Sequence, residues 1–161
     1  MPGKHAYAVE VSWTGNTGSG TADYRSYRRT CVVSAAGKPS LDGSSDPHFR
    51  GDADRWNPEE LLVAALSQCH LLSFLHAAAV AGVVVVGYTD AATGTMVTTG
   101  NGGHISGVVL HPVVTVASPS MIDQVPALHE TAHRDCFIAS SVNFPVTHEP
   151  VTRAGAAPSG G

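Results

Sequence analysis

Cysteine is scarce in this chain: three among 161 residues. So few thiols cannot staple a small secreted scaffold, and in an intracellular protein they are expected to be reduced, buried or reactive. Cations are scarce as well. Lysine and arginine together number 9 against 13 acidic residues, a formal charge of −4, with no basic block and no basic-aromatic stripe. Nucleic acid is therefore not an expected partner. The first residues, Met1-Pro2-Gly3-Lys4-His5, lack the apolar centre of a secretory signal. Apolar runs are interrupted by His, Ser and Gly well short of the length a bilayer span needs. Together these absences point to a soluble cytoplasmic protein that does not engage membranes. No serine-centred triad signature and no internal repeat occur. Gly100-Asn101-Gly102-Gly103 is a hairpin turn rather than a phosphate loop, because no helix start or Lys follows it.

What the chain does have is enough residues for one domain with a sizeable core, expected over residues 1–150, followed by a disordered Ala/Pro/Ser/Gly tail at 151–161. Residues 5–14 and 24–35 read as two strands of a hairpin around the turn at 15–20, with a polar loop at 37–56. Asn57-Pro58-Glu59-Glu60 then marks a helix start: an N-cap amide, a first-turn proline and two carboxylates against the positive dipole end. The helix is expected to run to about Ala81, stopped by Gly82. Apolar residues lie on nearly all its faces, so burial on most sides is predicted. A β section at 83–97, a strand at 105–117, a helix at 121–134 capped by Ser120, a helical turn at 136–141 and a strand at 144–149 complete an α+β order.

Two constellations could carry chemistry. The first is a thiol pair, Cys69 within the apolar helix and Cys136 in His133-Arg134-Asp135-Cys136. A cysteine that attacks a peroxide must be a thiolate, and the sulfenic acid it forms is captured by a second thiol. Apolar surroundings raise a thiol's pKa, so Cys69 needs a nearby cation, best an arginine. Arg50 and Arg55 precede the helix, and Arg25, Arg28 and Arg29 lie on the hairpin. The bland alternative is that Cys69 is a core residue, as Cys31 is expected to be.

The second constellation is His129-Glu130-Thr131-Ala132-His133, a literal H-E-x-x-H. On a helix its histidines could hold zinc, with Glu130 as general base and Cys136 as a third ligand. Nine histidines make a chance match ordinary, and the bland reading places this segment on a solvent-facing surface. His70 and His76 are expected to be satisfied core histidines, and Trp13 and Trp56 packing residues.

Asn57-Pro58-Glu59-Glu60-Leu61-Leu62, a helix rich in small residues, and Ser67-Gln68-Cys69-His70 resemble the signature of the OsmC/Ohr proteins, a family of thiol peroxidases. Phe49-Arg50-Gly51-Asp52 and Trp56 are similar to its OsmC branch, and the likeness covers roughly residues 5–150. Phe137 stands where the family often has Pro. The resemblance implies that Cys69 is the peroxidatic cysteine, Cys136 the resolving one, Glu59 the catalytic glutamate and Arg50 the activating arginine. It further implies organic hydroperoxide as substrate, an external dithiol reductant such as a lipoyl type, and no metal, flavin or haem. Leu66, Leu72, Phe74 and Phe137 are the apolar residues expected to line such a site. Glu59 and Cys69 are ten residues apart, ~15 Å along a continuous helix, so if both serve one site the glutamate or its arginine must reach over from elsewhere, most simply from a second subunit. That agrees with the intertwined homodimer the resemblance implies. A zinc-dependent hydrolase on His129 and His133, or a non-catalytic ligand-binding protein of the same fold, are the alternatives.

Overall fold

The computed structural model describes residues 2–155 and divides the chain into two compact units, Met1–Leu61 and Leu62–Gly161, where a single domain is expected from sequence. In the first unit, β1 (Glu10–Trp13), β2 (Cys31–Ser34) and β3 (Leu41–Gly43) form an antiparallel sheet in that order. The expected hairpin is present, but its strands are shorter than predicted. Residues between them bond locally instead: the Asn16 carboxamide accepts from the Gly18 and Gly20 amides, and Ser26 Oγ donates to Gly20 and Asp23 carbonyls. Such side chain–backbone bonds compete with the sheet ladder. The polar loop expected at 37–56 contains β3, with Cys31 paired to Gly43. A Cβ at Gly43 would stand 2.8 Å from the Cys31 sulfur, so the half-buried thiol fills space that only glycine leaves.

Helix α1 (Pro58–Val80) begins and ends as its sequence dictates. The Asn57 side chain accepts from the Glu60 amide at 2.8 Å, and Glu59 and Glu60 occupy the first turn. At the other end Gly82 takes φ +72, its amide bonds Ala79 O, and the Val83 amide bonds Ala78 O. That is a Schellman stop, which glycine alone enters without strain.

The second unit contains β4 (Val85–Asp90), β5 (Thr93–Thr99), β6 (Gly102–Leu110), β7 (Pro112–Val116), α2 (Val125–Asp135), β8 (Val146–His148) and β9 (Val151–Ala154). Two three-stranded sheets result, β4-β7-β9 and β5-β6-β8, with β8 and β9 joining parallel to their neighbours. The single strand expected at 105–117 is thus two strands in different sheets, parted at His111, whose amide bonds Asp90 at 2.6 Å. The predicted second helix also divides. Residues Pro119–Gln124 form a 3₁₀ turn, and the α-helix starts only at Val125, because Pro126 has no amide to continue an α ladder from the preceding turn. The tail expected at 151–161 begins instead with β9, where Val151 to Ala154 pair with Val113 to Val116; residues 156–161 lie outside those described.

Each sheet has its own core. Phe74, Ala78, Val83, Val114, Val116, Val125, Leu128 and Ala132 make one, and Leu66, Val108, Leu110 and Val146 the other. Helix α1 serves both through a single line of buried residues, Leu66, His70, Phe74 and Ala78, spaced by four. Burial on most of its sides is not what the chain shows: 22% of its most apolar 18-residue window is buried, and Leu72 and Val80 are 58% and 76% exposed. One sheet-facing line uses only one face of a helix that is apolar all round. By length and composition α1 would also suffice to cross a bilayer, contrary to the sequence expectation. Its buried line packed into two cores is the arrangement of a core helix.

Candidate active site: a thiol pair beside an apolar cavity

Cys69 lies at the middle of α1, half-buried, and Cys136 is the residue that closes α2. Cys136 leaves the helical region with φ −73 and ψ 113, which turns its side chain inward, where it is 1% exposed. The segment after it is tied back to that point. The Ala139 amide donates to the Cys136 sulfur at 3.4 Å, and Ser140 donates its amide and its hydroxyl to the Cys136 carbonyl, each at 3.1 Å. The short 3₁₀ turn Ala139–Ser141 follows. This set of bonds holds the Cys136 thiol in place, with Cys69 as its neighbour. Both cysteines are free thiols. Burial, and then the bond to Cys69, push the Cys136 thiol up to about 11. It stays protonated at neutral pH.

Cys69 opens on a cavity of about 800 Å³, lined chiefly by apolar side chains, among them Leu72, Val80, Phe137 and Ile138. Polar groups on its wall include Gln68, Ser73 and His76. Two of the four lining residues expected from sequence are there, Leu72 and Phe137. Leu66 and Phe74 are not; they point into the two cores on the buried line of α1, about 60° and about 140° round the helix from Cys69. His76, expected in the core, is exposed on the cavity wall.

The structure therefore brings Cys69 and Cys136 together, and it does not bring Glu59 to them on the same chain. Glu59 sits in the first turn of α1, half-buried, ten residues and ~15 Å of helix rise before Cys69. Arg50 belongs to the first unit. It ends the 3₁₀ turn Pro47–Phe49 in a left-handed conformation, φ 66, with its amide bonded to Pro47 O. Its exposed guanidinium lies 5.9 Å from the Tyr24 ring centre.

The H-E-x-x-H segment does something other than expected. His129 faces inward, 0% exposed, with its ring stacked on Phe74 at 4.3 Å and parallel to His70 at 5.3 Å. His70 Nε2 and His129 Nδ1 share a hydrogen bond of 3.0 Å, and His129 Nε2 is buried with no partner. His148 leans against both rings, and its Nε2 bonds Glu130 Oε1 at 3.0 Å. Burial lowers the His70 pKa to about 4, with His148 adding to the effect; burial and then His70 lower that of His129 to about 3. Both rings are neutral at physiological pH. Among the described residues no group of three or more His, Cys, Asp or Glu side chains is placed to hold a metal ion. The zinc arrangement thus has its first histidine committed to His70, and the solvent-facing reading of His129 is overturned. The signal was in the sequence: Val125, Leu128, His129 and Ala132 follow i, i+3, i+4, i+7, so the histidine shares the apolar face.

Two helices and small three-stranded sheets, with two free thiols on the helices, define an α+β protein. The chain belongs to the OsmC family: the family profile described as OsmC-like protein matches residues 51–150. An OsmC-like protein of unknown function from Vibrio cholerae is 32% identical over 92% of this chain and 100% of its own, with a TM-score of 0.82. An organic hydroperoxide resistance protein from Elizabethkingia anophelis shares 19% identity over 94% and 99% of the two chains, TM-score 0.66. An organic hydroperoxide resistance protein OsmC from Legionella pneumophila gives 20%, 93% and 99%, and 0.66. The latter two likenesses are of fold. No functionally curated protein matches the chain.

Proposed function

We propose that this protein is a thiol-dependent peroxidase that reduces organic hydroperoxides. The observation that carries the reading is the placement of Cys69 on an apolar cavity of about 800 Å³ with the buried, protonated Cys136 as its neighbour. In the proposed cycle the Cys69 thiolate attacks the distal peroxide oxygen. The O–O bond breaks, the alkoxide leaves and takes up a proton as alcohol, and Cys69 becomes a sulfenic acid. The Cys136 thiol then attacks that sulfur, water leaves, and a disulfide forms. An external dithiol, of lipoyl type for instance, reduces it by exchange. The high pKa of Cys136 suits this order, because a thiol that stays protonated is a poor first nucleophile. The apolar lining favours alkyl and aryl hydroperoxides over hydrogen peroxide, whose small polar body gains nothing from Leu72 and Phe137.

Arg50 is the proposed activating arginine, holding Cys69 as thiolate and orienting the peroxide, and Glu59 is proposed to steady that arginine. The ~15 Å along α1 from Glu59 to Cys69 supports a second subunit as the simplest source of one or both groups. A homodimer is supported by the apolar outer face of α1, where Leu72, Leu75 and Val80 are exposed in the single chain. The protein is proposed to act in the cytoplasm in defence against oxidative stress. Cumene hydroperoxide consumption with a lipoyl-type dithiol tests the activity. Turnover by the wild type, abolished in Cys69→Ser, is the expected result; equal consumption by that variant would end the proposal.

A further inference from the structure

We propose that the first unit carries a binding site for an oxyanion, the phosphate or carboxylate group of a small ligand. A second cavity, of about 230 Å³, lies wholly within this unit, and its wall includes Arg25, Arg28, Arg29, Arg50 and Asp52. Four guanidinium groups and one carboxylate leave a triple positive excess in one concavity. Each guanidinium is a planar cation with five N–H donors and no acceptor.

Two of the four arginines are committed. Arg29 donates to the Tyr27 and Tyr24 carbonyls, each at 2.6 Å, and lies over both rings, its guanidinium carbon 3.9 and 4.5 Å from their centres. Arg28 forms an ion pair with Asp52 at 2.7 Å, which also occupies the only acidic group on the wall. Thr17 and Ser26, the aliphatic hydroxyl groups of the lining, donate to backbone carbonyls. Arg25 and Arg50 remain, and among the described residues neither has a carboxylate within ion-pair distance. Two guanidinium forks without counter-charge, facing one small cavity beside a third guanidinium, suit a ligand that supplies two or more acceptor oxygens and a negative charge.

The volume sets the size of that group. At roughly 30 Å³ per water, the space of about 230 Å³ equals about eight waters, enough for a phosphate or carboxylate with part of its hydration shell and too small for a nucleotide. The inference stands on the first unit alone. Arg50 is also the proposed activating arginine, so at that one residue the site rests on the same side chain as the peroxidase reading; anion binding is read without turnover and on Arg25→Gln as well, which keeps the two failures distinguishable.

The test is calorimetric titration of the full-length protein with sodium phosphate and, separately, sodium acetate, at low ionic strength where exposed charges are least screened. One saturable site per chain is expected. Arg25→Gln and Arg50→Gln should each weaken it about tenfold, the effect of losing one charge-assisted hydrogen bond, while Arg153→Gln on β9 leaves it unchanged. Arg25→Lys, which keeps the charge without the fork, should lose less than Arg25→Gln. Tighter phosphate binding assigns the site to phosphate esters, and tighter acetate binding to carboxylates. Saturation by neither anion, or binding that survives Arg25→Gln and Arg50→Gln undiminished, overturns the site.

Discussion

At the scale of single residues, the buried imidazoles of His70 and His129 have a consequence for acid stability. Their folded pKa values, about 4 and about 3, lie below the ordinary 6.5. The unfolded chain takes up protons as pH falls through 6.5, whereas the folded chain keeps both rings neutral. Stability is therefore full above pH 6.5 and declines below it until the folded pKa values are reached. The loss is of the order of 3 kcal/mol per histidine by pH 4. Urea unfolding at a series of pH values should show this decline, and His129→Gln should remove about half of the slope between pH 6.5 and 4. A flat profile in the wild type would mean that the rings are not held neutral by the fold. This pair was only half legible from sequence. His70 on an apolar helix reads as a satisfied core histidine, and it is one. Its partner was obscured by the H-E-x-x-H pattern, which drew attention to metal binding and away from the apolar spacing of Val125, Leu128 and Ala132. Cys69 and Cys136 were readable as a pair, but nothing in a spacing of 67 residues reveals that the Ala139 and Ser140 amides hold the second thiol in place.

Among the elements, α1 was the most legible because its ends are local. Asn57, Pro58 and two glutamates start it, and Gly82 stops it, all within a few residues of the bonds they make. Gly82→Ala is a clean probe of that stop. Nothing lies within 4 Å of the added Cβ, so only the left-handed backbone at φ +72 is penalised. A loss of about 1 kcal/mol is expected in thermal or denaturant unfolding; an unchanged midpoint would show that the turn tolerates alanine. The strands were less legible for the opposite reason. β3, β8 and β9 are three or four residues long, and their pairing depends on partners far along the chain, Val113 for Val151 and Val108 for Val146. Short strands of mixed composition carry too little alternation to stand out. The partition of residues 105–117 between two sheets is likewise a tertiary event, made where Asp90 accepts the His111 amide.

For the whole molecule, the outer face of α1 is the feature a single chain leaves unexplained. The sequence foretold a helix apolar on nearly every side, and the chain buries only the line from Leu66 to Ala78. A second copy covering Leu72, Leu75 and Val80 would satisfy that composition. Light scattering should accordingly give twice the chain mass, and Leu75→Glu should shift the protein toward monomer; a monodisperse monomer with full activity would contradict the dimer. The arrangement around Cys69 remains the centre of the account, and intact mass spectrometry tests it most directly. One equivalent of cumene hydroperoxide should remove two hydrogens and two titratable thiols per chain, with a Cys69–Cys136 disulfide in the peptide map. Cys136→Ser should stop instead at the Cys69 sulfenic acid, one oxygen heavier. A wild-type mass and thiol count that do not change would contradict the thiol cycle.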